Sequence, residues 1–179
     1  RVSPPWAGAA AYAYTEHVGI YTSWEQTGFY ASNFGWGMSH ELGHMTDIPE
    51  RTIGETTNNM YSKFNETAIE KIATRGDFSQ TLLALSSDLV DTSGYFNSIR
   101  YNYLIWWYIE SYQKGFWGNL EKCYRLQNEK LLSLLNDETF KSNYNSLNKT
   151  EKNVLLSSLV TGIDLSYYFE RWGFNLNTS

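Results

Sequence analysis

His40-Glu41-Leu42-Gly43-His44 limits the fold of this chain more than any other stretch of it. The chain holds only three histidines, and two of them stand four positions apart with a glutamate between. On an α-helix, residues i and i+4 lie one turn apart on the same face, so both imidazoles can reach one metal ion. The pentapeptide therefore demands a helix, predicted to begin near Met38 or Ser39 with Ser39 as N-cap. It must end soon after His44, because Pro49 disfavours helical geometry at Ile48. Glu41 is turned about 100° from His40, away from the ligand pair and beside the position where a metal would hold water. Gly43 costs about 1 kcal/mol of helix propensity relative to Ala, and its missing side chain lets another segment pack close.

Catalytic zinc takes three protein ligands and leaves a fourth position to water. Three residues qualify as the third. His17 lies upstream in a predicted strand. Glu50 falls six residues after His44, the place of the last ligand in H-E-x-x-H-x-x-G-x-x-H enzymes. Those enzymes need Gly where this chain has Asp47, and His where it has Glu50. Glu55 falls eleven residues after His44 on a second predicted helix, spanning 52–73. Its apolar positions Ile53, Met60, Phe64, Ala68 and Ile72 recur near helical spacing. A short loop would return that helix beside the first. Asn59, at i+4 from Glu55, is placed to accept the spare imidazole N–H of His40 or His44, the kind of bond that orients a ligating histidine.

The single cysteine, Cys123, excludes an internal disulfide and a multi-cysteine metal site, so a metal must be held by His and carboxylates. The net charge is −5 and Lys and Arg form no run, which argues against nucleic acid and against an anionic membrane. No apolar stretch approaches the ~20 residues that span a bilayer. Aromatic residues make up 17% of the chain, enough for a bulky core and for stacking surfaces suited to sugars.

The layout predicts an α+β fold that is predominantly α, in a single domain over 1–179. Residues 1–37 form a β-containing entrance, in which small and aromatic residues alternate from Ala11 and predict one strand through Tyr21. Residues 38–73 supply the active-site helix pair, and 74–179 a helical subdomain. Helices are predicted over 79–89, 97–113, 120–135, 151–160 and 165–172, with an Asn- and Ser-rich polar loop over 137–149. The opening Arg1-Val2-Ser3-Pro4-Pro5 reads as a piece cut from something longer.

With these residues in view, the chain resembles the M60 (enhancin-like) family of zinc metallopeptidases. The resemblance rests on Gly35-Trp36-Gly37 ahead of His40-Glu41-Leu42-Gly43-His44, then on Gly54-Glu55-Thr56-Thr57-Asn58-Asn59. The C-terminal run from Thr161 through Asp164, Tyr168 and Trp172 to Phe174 is also similar. It implies a zincin-like core and a gluzincin site with one Zn2+, in which His40, His44 and Glu55 are ligands and Glu41 is the general base. It implies further a secreted or cell-surface enzyme that cleaves mucins or other O-glycosylated proteins. The family's catalytic domain is generally longer, so an upstream portion is expected to be missing. Only ten residues separate His44 from Glu55, which keeps Glu50 as a rival. The alternative function is a carbohydrate-binding or scaffolding fragment of a larger secreted protein.

Overall fold

A computed structural model describes residues 11–14, 17–20, 35–52, 56–70 and 103–176. The chain divides into two compact units, 1–78 and 79–179. It is mostly helical.

In the first unit, β1 (Ala11–Tyr14) and β2 (His17–Ile20) pair antiparallel, with Ala11 opposite Ile20 and Tyr14 opposite His17. The predicted single strand is thus two antiparallel strands, a hairpin. The hairpin lies against α1 (Gly35–Thr46), which carries the His-Glu-x-x-His run. Helix α1 starts about one turn earlier than expected, and Ser39 is buried inside it rather than capping it. Two glycines in a first turn oppose this by propensity alone, so tertiary packing decides the boundary. After Thr46 the chain reverses at Ile48, whose carbonyl accepts from the N–H groups of Arg51 and Thr52.

The second predicted helix is shorter than its apolar pattern suggested. Thr52 is not helical, residues 56–58 form a turn, and α2 runs only from Asn59 to Phe64. Bonds from Asn59, Met60 and Tyr61 N–H to carbonyls three residues back wind this entrance tightly. Thr-Thr-Asn is a poor helix start by propensity, and the Thr57 and Asn58 side chains bond instead to residues of the preceding helix and turn. Helix α2 continues into a π-helical turn, Asn65–Glu70. A buried pair, Lys63 and Glu66 at 3.8 Å, bridges the junction. Burial lowers the Lys63 pKa, and the Glu66 charge partly restores it.

The second unit holds α3 (Tyr103–Tyr112), α4 (Phe116–Tyr124), α5 (Glu129–Leu134), α6 (Glu138–Ser146), α7 (Lys149–Thr161) and α8 (Ser166–Arg171). Its core is aromatic. Trp106 is fully buried and meets Trp117, Phe169 and Phe174 edge-on, with ring centroids 6.1–6.4 Å apart. Such T-shaped contacts add about 0.5–1.5 kcal/mol each beyond area burial. Glu110, buried at the end of α3, accepts from the N–H groups of Gly115 and Trp117 and so caps α4. Two expectations are overturned. The predicted helix over 120–135 breaks between Tyr124 and Glu129, where Leu126 takes a left-handed φ of 53°. The predicted polar loop over 137–149 is mostly helix α6, capped by Asp137, whose carboxylate accepts from Phe140 N–H at 2.8 Å. The helix predicted over 79–89 lies outside the described residues.

Candidate metal centre

Helix α1 places His40 and His44 one turn apart, with ring centroids 4.8 Å apart and planes nearly perpendicular. What orients them comes from the 56–59 segment, which packs directly on α1 at Gly43. A Cβ at Gly43 would lie 2.7 Å from the Asn58 carbonyl oxygen and 2.9 Å from its Cβ. Glycine is therefore required for this approach, and the helix-propensity penalty is the cost of bringing Asn58 and Asn59 to the histidines.

Asn59 Oδ1 lies 2.7 Å from His40 Nδ1. An amide oxygen only accepts, so Nδ1 carries the proton and Nε2 holds a lone pair. The Asn58 amide nitrogen lies 3.0 Å from His40 Nε2 and 2.9 Å from His44 Nε2. The same amide nitrogen lies 3.3 Å from the His40 carbonyl oxygen, so both Nε2 atoms face one point beside the helix. Two imidazole nitrogens turned to one place suit a borderline metal such as zinc. Glu41 is buried on the same helix.

Glu55 lies outside the described residues. Glu50 is exposed in the turn after α1 and does not join the histidines. Among the described residues, no group of three His, Cys, Asp or Glu comes together. His17 opens β2, opposite Tyr14. Asn59 reaches His40 as the first residue of α2.

Sequence reasoning missed Asn58 as the residue that faces both imidazoles. It also missed Asp47, whose carboxylate accepts from Arg51 Nη2, from the Thr57 hydroxyl and, at 3.0 Å, from Ile48 N–H. In the sequence Asp47 stands out only as a departure from the longer zinc motif. The fully buried arginine beside it has no signal in hydrophobic periodicity.

The sequence pattern of the family described as peptidase M60, enhancin and enhancin-like, matches residues 4–173. No protein of curated function matches the chain. Among solved structures, the chain is similar to the ZmpB metallopeptidase from Clostridium perfringens, with 25% identity and a TM-score of 0.66 over 97% of this chain and 34% of that one. It is also similar to the M60 catalytic domain of ZmpC from the same organism in complex with the sialyl T antigen, at 22% identity and the same TM-score, covering 98% and 33%. A third structure, the ZmpB catalytic domain with its CBM51-1 and CBM51-2 domains, matches at 23% identity and a TM-score of 0.66, covering 97% and 18%. At such identities the last two speak to the fold alone. The chain spans about a third of the length of the first two.

Proposed function

The chain belongs to the peptidase M60, enhancin and enhancin-like, family, and on that premise we propose that it is a zinc-dependent endopeptidase acting on O-glycosylated, mucin-like proteins. His40, His44 and Glu55 would hold one zinc ion, and Glu41 would act as general base. The reading is supported by the Nε2 atoms of His40 and His44 facing one point, with Asn59 Oδ1 2.7 Å from His40 Nδ1.

When bound, zinc supplies a Lewis acid that brings the pKa of a water towards neutrality and polarises a carbonyl. Glu41, on the helix face next to the histidines, takes the proton of the attacking water and returns it to the leaving amine. His40 and His44 would present their Nε2 atoms to the ion. Asn59 holds the His40 ring against rotation, a kind of partner whose loss typically costs about 10–100-fold in metal affinity. Glu55 enters from the family pattern, and its carboxylate would be the third ligand of the set.

The substrate class is the one the family implies; the ZmpC catalytic domain, similar in fold, was solved in complex with the sialyl T antigen. A secreted or cell-surface address goes with such substrates. No described helix is long and apolar enough to cross a membrane.

The test is digestion of an O-glycosylated mucin by zinc-loaded protein, read by gel shift, beside enzymatically deglycosylated mucin and the Glu41→Gln variant. Cleavage of the glycosylated substrate alone is expected. Glu41→Gln should keep its zinc and lose at least about 100-fold in rate, the low end of what a positioned general base contributes. Folded, zinc-bearing protein that leaves every mucin intact would refute autonomous peptidase activity.

A further inference from the structure

Asp47 sits where helix α1 gives way to the turn, three residues past His44. Its side chain is only 3% exposed, yet it meets a donor on every side. Oδ1 takes the Ile48 N–H at 3.0 Å and the Arg51 guanidinium, while Oδ2 takes the Thr57 hydroxyl. Arg51 is itself fully buried, and Thr57 is buried with it. A buried carboxylate held by a cation and two further donors is strongly fixed in place, because losing any partner leaves a desolvated polar atom.

The importance of this clasp comes from the two residues after Thr57. Asn58 faces both Nε2 atoms, and Asn59 fixes Nδ1 of His40. This turn touches α1 and its end through three residues: Asn59 on His40, Asn58 against Gly43, His40 and His44, and Thr57 on Asp47. The first two are contacts of the metal centre. The third lies beyond the end of α1 and sets where along the helix the turn sits.

We propose that Asp47, through Thr57, is the positioning residue of this metal centre: it sets the register of the Asn58–Asn59 turn against α1 and thereby the orientation of the His40 imidazole. The inference rests on the metal-site reading above. A merely structural clasp would stabilise the unit without influencing His40. A positioning clasp changes the imidazole even in protein that stays folded.

Thr57→Val removes the hydroxyl at nearly constant shape, and Thr57→Ser keeps it. Two readouts apply, at a temperature well below the melting transition. The first is the 15N–1H signal of His40 Nδ1 in metal-free protein. The second is the zinc dissociation constant from chelator competition. Thr57→Val should lose or broaden the Nδ1–H signal and weaken zinc about 10–100-fold, whereas Thr57→Ser should stay within about threefold of wild type. If Thr57→Val does not fold, Asp47→Asn serves instead. Its amide can meet Thr57 only by donating to the hydroxyl oxygen, so Thr57→Ala is measured beside it; Thr57→Ala removes the hydroxyl outright and should show the same loss. Zinc uptake equal in wild type and His40→Ala would defeat the metal-site reading, and the Nδ1–H comparison would then decide the positioning role alone. A folded variant with wild-type Nδ1–H signal and wild-type zinc affinity overturns the proposal.

Discussion

Gly43→Ala sets two effects of opposite sign against each other. In an exposed helix the substitution stabilises by about 1 kcal/mol, since alanine is the best helix former and glycine nearly the worst. Here the new methyl would stand 2.7 Å from the Asn58 carbonyl oxygen, 2.9 Å from its Cβ and 3.0 Å from its Cα. Restoring ordinary contact at about 3.4 Å moves the Asn58 backbone away by about 0.7 Å, the kind of overpacking that costs about 1–3 kcal/mol. The same movement stretches the 2.7 Å bond between His40 and Asn59 to about 3.4 Å, past good hydrogen-bond range, for another ~1 kcal/mol. Subtracting the propensity gain leaves a net loss of about 1–3 kcal/mol. For a chain of this size that lowers the melting temperature by roughly 2–12 °C. Zinc affinity should fall about 10–100-fold with the His40 bond. Gly118 in α4 is the internal control, because nothing lies within 4 Å of a Cβ built there. Gly118→Ala should raise the melting temperature where Gly43→Ala lowers it. The measurement is a thermal melt of each variant with a zinc titration alongside. If Gly43→Ala melts higher than wild type and binds zinc as well, the close approach of Asn58 to α1 is wrong, and so is the account of His40.

Leu126→Gly should stabilise by about 1 kcal/mol in denaturant titration, because it relieves a left-handed φ of 53° at a half-exposed side chain; destabilisation would mean that the leucine packs usefully. Cys123 is fully buried, and burial pushes its thiol up to about 11 from an ordinary 9.0, so near pH 8 its thiolate fraction is lowered roughly a hundredfold. Alkylation followed by mass spectrometry should be slow in folded protein and fast in denaturant; equal rates would contradict that burial. Burial likewise raises the Tyr168 hydroxyl well above its ordinary 10, and the hydroxyl donates to the Ile105 carbonyl at 2.7 Å. The folded state keeps this proton at pH values where the unfolded chain sheds it, so the contribution is whole below about pH 10 and declines as pH rises above it. Tyr168→Phe should cost about 1 kcal/mol at neutral pH and flatten that alkaline decline in melts between about pH 9 and pH 11.

What could be read of the helical unit depended on whether its ends carried a local signal. Helix α7 was legible because Asn148 and Glu151 form a reciprocal capping box and Gly162 closes the other end in a left-handed conformation. The break between α4 and α5 was not. Gln127 N–H bonds to the Lys122 carbonyl and Leu126 N–H to that of Cys123, a pairing that ends helices. Helix α8 ends on the same pair of bonds with Gly173 in the left-handed position, where glycine announces it. With leucine in that position, the apolar pattern runs on through the break. Helix α6 was hidden by composition: its Asn and Ser read as loop, while Asp137 as cap and the stacked Phe140–Tyr144 pair one turn apart hold it as helix.

The candidate metal centre divides along a different line. That His40, Glu41 and His44 share one helix was legible, because helical spacing is written in the order of residues. Their partners come from beyond the turn, 14–19 positions away, where no periodicity links Asn58 or Asn59 to a particular imidazole nitrogen. Gly43 was the one local trace of that approach, a helix-weakening residue inside a helix that otherwise has to be firm. Asp47 left a trace too, as the residue that spoils the longer H-E-x-x-H-x-x-G-x-x-H pattern. In that pattern glycine turns the chain towards a ligand three residues on. With aspartate in its place, the carboxylate can instead take up a threonine ten residues on, and Glu50 is left exposed in solvent. Aspartate at that one position of a known motif thus goes with a Glu50 that stands exposed and apart from the histidines, and with a bond from Asp47 to Thr57 in the 56–59 turn. It also implies that Asp47→Gly should not revive Glu50 as a ligand. Arg51 would then be buried without its carboxylate, and the expected result is a destabilised first unit with weaker zinc binding.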